Sequence, residues 1–461
     1  MPIQQMLLGV GAKKKTYVDD VFSTDLWIGD AYVGSTPRTI TSGINLADEG
    51  GMLWIKNRGD GGESHLVFDT ERGVGSSGKK VYPNENYAEG TSNDFVSSFT
   101  TSGYTIGQQD GVNKTNIDHV GWTFRKAPGF FDIVTYTGNG SARTIAHSLG
   151  SVPGCIMIKC TSTTGHWRVY HRALGEDGAL NLNLTLAAMD DGDIFGTTPT
   201  STNFYVGNDS HLNTNNETYI AYLFAHDEQS FGEDEDASVI KCDSFTTNSS
   251  GAATIDLGWE PQWVLHKASS TTGGWSLIDN MRGWPVSGIN TNWLNADSSG
   301  AESNSNSNTS LTSTGFKVHL SSYWQNMTRV FIAIRRPDGY VGKPPELGTD
   351  VFTTVASPNN TNEPLFVSNF IVDFTLLKEI GGTSDWYTGA RMTGDEYVRT
   401  NSNSSKGNMG TTYQTYDMNN GWWNGGASTQ NGWNSWMWKR HAGLDVIAYE
   451  GNGVAGRQIS H

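Results

Sequence analysis

Four stretches of the chain alternate large apolar side chains with smaller or polar ones, and each closes a block of about 105 residues. They are Val120-Gly-Trp122-Thr-Phe124, Tyr219-Ile-Ala-Tyr222-Leu-Phe224, Val330-Phe-Ile332-Ala-Ile334 and Trp436-Met-Trp438. A period of two is the signature of a β-strand, and it sets each pair on one sheet face. Trp122 with Phe124, Tyr222 with Phe224, Ile332 with Ile334 and Trp436 with Trp438 are therefore expected to supply equivalent side chains to four cores. Two further landmarks recur in each block. One is a short apolar strand, at Met52–Lys56, Cys155–Lys159, Trp263–Lys267 and Phe370–Asp373. The other is a strand leading to an arginine: Arg72, Arg172, Arg282 and Arg391. No long run places apolar residues at i, i+3, i+4 and i+7, so no substantial helix is expected.

The blocks are copies of one another. Phe131-Asp-Ile-Val-Thr-Tyr-Thr-Gly-Asn-Gly140 returns as Leu444-Asp-Val-Ile-Ala-Tyr-Glu-Gly-Asn-Gly453, and Asp20-Val-Phe-Ser-Thr24 returns as Asp350-Val-Phe-Thr-Thr354. A block of about 100 residues with several short strands has the size of a β-sandwich. The expected fold class is all-β: a tandem array of β-sandwich (jelly-roll or lectin-like) repeats. The expected division is an N-terminal attachment segment at 1–19, repeats at 20–134, 135–235, 236–345 and 346–448, and the start of a truncated fifth repeat at 449–461. A lone opening strand exposes its backbone donors and acceptors, so the natural chain is expected to continue beyond His461. Residues 1–19 are expected to order only against another protein.

Composition narrows the function. Net charge is −16 with 17% charged residues, which disfavours nucleic acid as a partner. The three cysteines, Cys155, Cys160 and Cys242, are too few and odd in number for a disulfide framework. No segment is apolar enough to serve as a secretion signal or to insert in a membrane. The abundance of glycine, 55 residues against 13 of proline, suits many tight turns. Ala301–Ser310 is expected to be a long surface loop. The acidic runs Glu233–Asp236 and Asp190–Asp193 lack the alternation that calcium ligation needs, and no metal or cofactor is expected.

Gly73-Val-Gly75-Ser-Ser-Gly78 spells a dinucleotide fingerprint, but Pro83 and Asn84 follow where a helix would have to start. The chain has no Gly-x-Ser-x-Gly, His-Glu-x-x-His or Walker motif. No catalytic residue is assigned and no enzyme activity is expected. The aromatic residues are more suggestive. Trp422, Trp423 and Trp433 lie among Asn424, Asn434 and several glycines. Exposed rings beside amide side chains suit a sugar-binding surface, and burial against a neighbour is the alternative. These five residues are the candidate glycan- or partner-contacting site.

Tyr17-Val-Asp-Asp-Val-Phe-Ser-Thr24, Gly51-Met-Leu-Trp-Ile-Lys-Asn-Arg58, Phe68-Asp-Thr-Glu-Arg-Gly73, the Gly-Asn-Gly…His147 segment and the Trp167…Arg172 strand resemble tail or appendage proteins of tailed, cyanophage-like bacteriophages of marine bacteria. The resemblance runs from about residue 17 to the end. It implies a virion structural protein, a tail fibre or tail-associated appendage made in the host cytoplasm. Its implied partners are other tail proteins (adaptor, nozzle or baseplate type), copies of itself, with a trimer favoured, and host surface polysaccharide. Three alternatives stay open: a carbohydrate-binding array, a polysaccharide-cleaving tailspike with two carboxylates at glycosidase separation, and a head decoration protein.

Overall fold

A computed structural model describes residues 15–459, apart from 32–36, 76–77, 93, 287–290, 305–308, 320–322, 359–362, 411–413, 425–431, 450 and 452. The chain is all-β and multidomain, built from β-sandwiches. The α-helices among the described residues are single turns, Val18–Val21, Leu46–Glu49 and Asp110–Asn113.

Four large antiparallel sheets follow one plan. An opening strand pairs with the last long strand of its unit, which pairs with a third strand, which pairs with an outer one. In the first unit these are Phe22–Ile28, Asp118–Arg125, Gly51–Asn57 and Leu66–Asp69. In the second they are Phe131–Thr137, Thr218–Phe224, Cys155–Cys160 and Arg168–His171. The third uses Ile240–Thr246, Thr328–Arg335, Pro261–Ala268 and Trp275–Asp279, and the fourth Phe352–Ala356, Trp433–Trp438, Phe374–Glu379 and Tyr387–Ala390. A smaller sheet or strand pair covers one face of each. Its members include Arg38–Thr41 with Gly103–Ile106, Arg143–Ala146 with Asn203–Val206, Ala253–Asp256 with Gly315–Val318, and Phe366–Val367 with Gly421–Trp422.

The expected joint at 134 falls inside the opening strand Phe131–Thr137, so this joint lies between Arg125 and Phe131. The third strand of the fourth unit is Phe374–Glu379, not Phe370–Asp373. Its register against Trp438 matches that of Met52 against Phe124, Cys155 against Phe224 and Trp263 against Ile334. Among the described residues from 445 to 459 there is no strand. An opening strand pairs with the closing strand of its own unit, as 131–137 does with 218–224. Of the expected attachment segment 1–19, residues 1–14 lie outside the described residues, and residues 15–19 pack on the chain itself. Val18 N–H donates to the Val341 carbonyl (2.9 Å), Gly232 N–H donates to the Thr16 carbonyl (2.9 Å), and Lys15 and Tyr17 both reach Glu233.

The large sheets of the first three units are covered on both faces. Their third strands are buried at every position, which is why they read as continuous apolar runs. One face meets the unit's own small sheet, as Leu53, Ile55 and Phe68 meet Ile40, Tyr104 and Ile106. The other face looks inward on a core that all three units share, containing Phe22, Trp122, Phe124, Phe131, Tyr222, Phe224, Trp263, Ile332 and Ile334. The paired aromatic residues of the closing strands thus fill the space between units rather than the sandwich interiors. Phe124 packs edge-on against Phe224 of the second unit at 5.7 Å and Trp263 of the third at 5.5 Å.

In the fourth unit the described residues cover only one face of the large sheet. Its closing strand alternates, with Trp433, Ser435 and Met437 buried and Asn434, Trp436 and Trp438 half-buried. Trp436 and Trp438 are therefore not core residues, a correction to the sequence-based expectation. The fourth unit's core is formed by the opposite face, with Leu377, Trp433 and Met437 packed on Phe366, Tyr416 and Trp422.

Candidate functional site

The candidate cluster of tryptophans divides once the chain is folded. The Trp422 ring is 2% exposed, stacked between Phe366 (5.2 Å, 16°) and Tyr416 (5.7 Å, 14°). Its indole donates to Ser435 Oγ at 2.9 Å. Trp433 is buried in the same core, 6.0 Å from the Tyr387 ring, and Trp423 is half-buried against it. Asn424 is buried, and Asn434 donates to Thr354 Oγ1 at 2.8 Å. Trp422 and Trp433 face inward and offer no sugar-stacking surface. The register explains Trp422: Phe366 pairs with it as Ile40 pairs with Tyr104, Ile145 with Phe204 and Ile255 with Phe316. In three units a glycine precedes this aromatic residue, because a Cβ at Gly103, Gly315 or Gly421 would lie 2.0–2.3 Å from the carbonyl oxygen of the paired strand. The rest of the glycine-rich loop, 425–431, lies outside the described residues.

The chemistry-bearing side chains that recur from unit to unit gather instead at the seams between the first three. Three kinds of contact repeat around the ring. In the first, the residue four before the end of the outer strand donates to a carbonyl of the adjoining unit. Trp167 Nε1 donates to Tyr82 O (2.9 Å) and Trp275 Nε1 to Asn181 O (2.8 Å). His65 Nε2 does the same to Asn295 O (3.0 Å). Because that carbonyl can only accept, the His65 proton is on Nε2, which leaves Nδ1 to accept from Trp54 Nε1 at 2.9 Å. Burial holds the His65 pKa well below the usual range, consistent with a neutral ring.

The second contact is a pair of backbone hydrogen bonds. Gly165 N–H donates to Asn86 O, Gly273 to Thr185 O and Gly62 to Ser299 O, at 2.8, 2.8 and 3.1 Å. Glu89 N–H donates to Thr161 O, Ala188 to Ser269 O and Glu302 to Arg58 O, at 2.8, 2.9 and 2.8 Å. The seam between the third and first units is thus built like the two seams that the chain crosses covalently. Glu302 belongs to the stretch expected to be a surface loop, of which 305–308 lie outside the described residues. It is instead drawn into a seam.

The third contact is polar. Tyr222 of the second unit donates its hydroxyl to Asp69 Oδ2 of the first (2.7 Å), where Arg72 also binds. Trp122 of the first unit donates to Asp279 Oδ2 of the third (2.9 Å), with the Arg282 guanidinium 5.2 Å above its ring. At the remaining seam His171 Nε2 donates to Phe331 O (3.0 Å), and burial pushes the His171 pKa down to about 4. Lys56, Lys159 and Lys267 share one register position on the third strands. Each is buried and donates to the carbonyl of the next residue. Burial lowers all three to about 8, and Lys267 also caps the Thr185 and Leu186 carbonyls across its seam. A perturbed lysine can signal chemistry. Here the same residue at the same place in three units, spent on backbone carbonyls, signals construction.

Two ionic clusters with buried arginines attach the fourth unit. Arg58 of the first unit bridges Glu302 of the third (2.7 Å) and Asp417 of the fourth (2.6 Å). Burial works against the Glu302 charge, but Arg58 and Arg282 outweigh it and hold its pKa below the usual range. Glu260 takes Arg440 at 2.8 Å and Arg336 at 3.1 Å, and Arg336 continues to Asp445 at 2.8 Å. A cleft of about 450 Å³ lies beside these clusters, lined by Asp19, Asp373, Arg391, Lys439 and Arg440 among others. Two of its acids are engaged: Asp19 accepts from Lys343 N–H (2.7 Å) and Asp373 from Arg440 N–H (2.8 Å). No cluster of three or more His, Cys, Asp or Glu suited to a metal occurs among the described residues, the acidic runs at 190–193 and 233–236 included.

A partly exposed aromatic surface does exist, on residues that the composition of the tryptophan-rich loop did not indicate. It is the uncovered face of the fourth large sheet. Phe352 and Trp438 lie 5.0 Å apart, Phe374 lies 5.5 Å from Trp438, and Trp386 lies 5.5 Å from Trp436. Phe352 is 38% exposed, and with Trp438 it borders an open apolar hollow toward Leu347 and Leu444.

A family described as "Domain of unknown function (DUF7483)" matches residues 19–334, more than two thirds of the chain. The match begins at the first turn of helix and ends in the closing strand of the third unit, so it spans the three ring-forming units and stops short of the fourth. No curated protein matches the chain.

Proposed function

The chain belongs to the DUF7483 family, and from that premise we propose that it is a structural subunit of a tailed-bacteriophage virion. In this reading it is a tail fibre or tail-associated appendage, attached through its N-terminal part and presenting a host-receptor-binding region. It performs no catalysis and takes no cofactor. Its partners are other tail proteins and copies of itself.

The observation that carries the reading is the use made of the recurring polar side chains. Asp69 with Arg72, Asp279 with Arg282, His65, His171 and Lys267 are spent on holding units together. A chain whose repeated chemistry is contact between repeats is suited to building, since each interface reuses one design. The resemblance of residues 17–24, 51–58 and 68–73 to phage appendage proteins supplies the particle.

The test is location. Peptides of this chain should be found by mass spectrometry in purified particles, and an antibody against the folded chain should decorate the tail in electron micrographs. Decoration of the capsid would make it a head protein, and absence from purified particles would end the reading.

A further inference from the structure

We propose that the uncovered face of the fourth unit closes a second ring, made by the fourth units of three copies of this chain. The partner is specified by what the same face binds elsewhere in the molecule. In the first three units it binds two sister faces, and the register of the sheets carries that relation over residue by residue.

The opening-strand positions Phe22, Phe131 and Ile240 correspond to Phe352, and Thr24, Ile133 and Cys242 correspond to Thr354. The first six are buried, whereas Phe352 and Thr354 are exposed. The closing-strand positions Phe124, Phe224 and Ile334 correspond to Trp438, and Trp122, Tyr222 and Ile332 correspond to Trp436. Again the residues in the ring are buried and those of the fourth unit half-buried. A sheet face with Phe352, Phe374, Trp386, Trp436 and Trp438 is as apolar as its buried counterparts, and water covers it only in the single chain.

The seam fittings are present too. Trp386 stands where His65, Trp167 and Trp275 stand. Its backbone N–H donates to Asn401 Oδ1, as theirs donate to Asn84, Asn183 and Asp297. Its indole N–H has no hydrogen bond among the described residues. Two residues before Asn401 is Arg399, the counterpart of Tyr82, Asn181 and Asn295, whose carbonyls accept the ring contacts. The next pair of fittings, Arg58, Thr161 and Ser269 with Glu302, Glu89 and Ala188, corresponds to Ile380 with Lys406. Ile380 is 60% exposed and Lys406 is exposed. In the second ring each Trp386 donates to the Arg399 carbonyl of a neighbouring copy, and each Lys406 N–H to an Ile380 carbonyl. One fitting differs: Ala390 replaces Asp69 and Asp279, so aromatic contact takes the place of the carboxylate node. The first ring is already closed without the fourth unit, so its units are not available to cover this face.

The proposal rests on reading the chain as an assembly subunit, but its test is independent of any particle. The intact 461-residue chain is measured by sedimentation equilibrium over a range of micromolar concentrations. A species of about 150 kDa, three times the 50.2 kDa chain, is expected. Thr354→Glu puts a carboxylate on the exposed strand, harmless to a single chain but buried in the ring. It should sediment near 50 kDa with an unchanged circular dichroism spectrum, while Ser404→Glu, on an exposed loop, should stay trimeric. A wild-type chain that is monomeric or dimeric throughout, or a Thr354→Glu variant that remains a trimer, overturns the proposal. So does a monomer whose tryptophan fluorescence is quenched by a soluble surface polysaccharide, since the face would then bind glycan. A trimer formed by a protein absent from purified particles would leave this inference standing and remove the virion reading.

Discussion

Replacing Tyr222 by phenylalanine removes one oxygen atom from the seam between the first and second units. The hydroxyl is fully buried and donates to Asp69 Oδ2 at 2.7 Å, while Arg72 Nη2 approaches it at 3.2 Å. Burial, aided by Asp69, keeps the phenol protonated far above its usual range. A hydrogen bond to a carboxylate contributes about 1.5–3 kcal/mol. Asp69 is not orphaned by the change, because it still accepts from Arg72 Nε at 2.7 Å and from the Arg72 backbone N–H at 2.9 Å. The ring itself keeps its place, parallel to Trp167 at 6.2 Å and to Phe131 at 6.4 Å, so no cavity beyond the missing oxygen opens. The expected cost is therefore at the low end, about 1.5–2 kcal/mol, read as a shift in equilibrium urea unfolding. The hydroxyl and the carboxylate belong to different units. A double-mutant cycle with Asp69→Asn then measures coupling between units, expected at about 1 kcal/mol or more. A loss below about 0.5 kcal/mol, the size of an indifferent surface change, together with zero coupling, would refute the assignment of this contact to a closed seam.

Three further outcomes follow from other sites. Trp122→Ala should cost about 3–5 kcal/mol, because the ring is wholly buried between the first and third units; unchanged thermal stability would contradict that burial. Asp25 is buried, its side-chain partners among the described residues are Ser23 and Tyr104, and burial raises its pKa to about 7. The folded state holds a proton that the unfolded chain releases above about 3.8, so stability falls as pH rises from 4 toward 7. Asp25→Asn should raise the melting temperature at pH 8 and leave it nearly unchanged at pH 4; an equal effect at both would exclude the raised pKa. Trp422→Ala should unfold the fourth unit at lower denaturant, by about 3–5 kcal/mol, and a variant of wild-type stability would mean that the ring is not in the core.

The repeat architecture was legible because closing strands such as Val120–Phe124 and Tyr219–Phe224 carry a strong period-2 signal at a constant spacing. What they face was not. A strand covered on both sides has no apolar side to choose, so Trp122 and Phe124 could be assigned to a face but not to the shared core. The fourth unit misled for a related reason. Phe370–Asp373 is more apolar than Phe374–Glu379, and only the register against Trp438 identifies the second as the counterpart of Met52–Lys56. The lysine at its fifth position, Lys378, was the overlooked signal. Trp422 and Trp433 suggest exposure in the sequence because glycines and asparagines surround them, whereas both rings are buried. Gly421-Trp422 is the fourth instance of a pair already written as Gly103-Tyr104, Asn203-Phe204 and Gly315-Phe316, and that alignment would have placed Trp422 in a core. The exposed aromatic surface, by contrast, followed from positions that are buried in every other unit, and no single-unit pattern marks it.

Closure of the first three units into a ring rests on the seam that the chain does not cross covalently, between the third unit and the first. Residue-resolved amide hydrogen exchange on the intact chain tests it most directly. The Gly62 and Glu302 amides donate across that seam to Ser299 and Arg58, while Gly165, Gly273, Glu89 and Ala188 donate across the other two. A closed ring requires all six to be protected as a set, with Gly62 and Glu302 as slow as the other four. Exchange of Gly62 and Glu302 at the rate of free loops, with the other four still protected, would show three sandwiches in an open row and no ring.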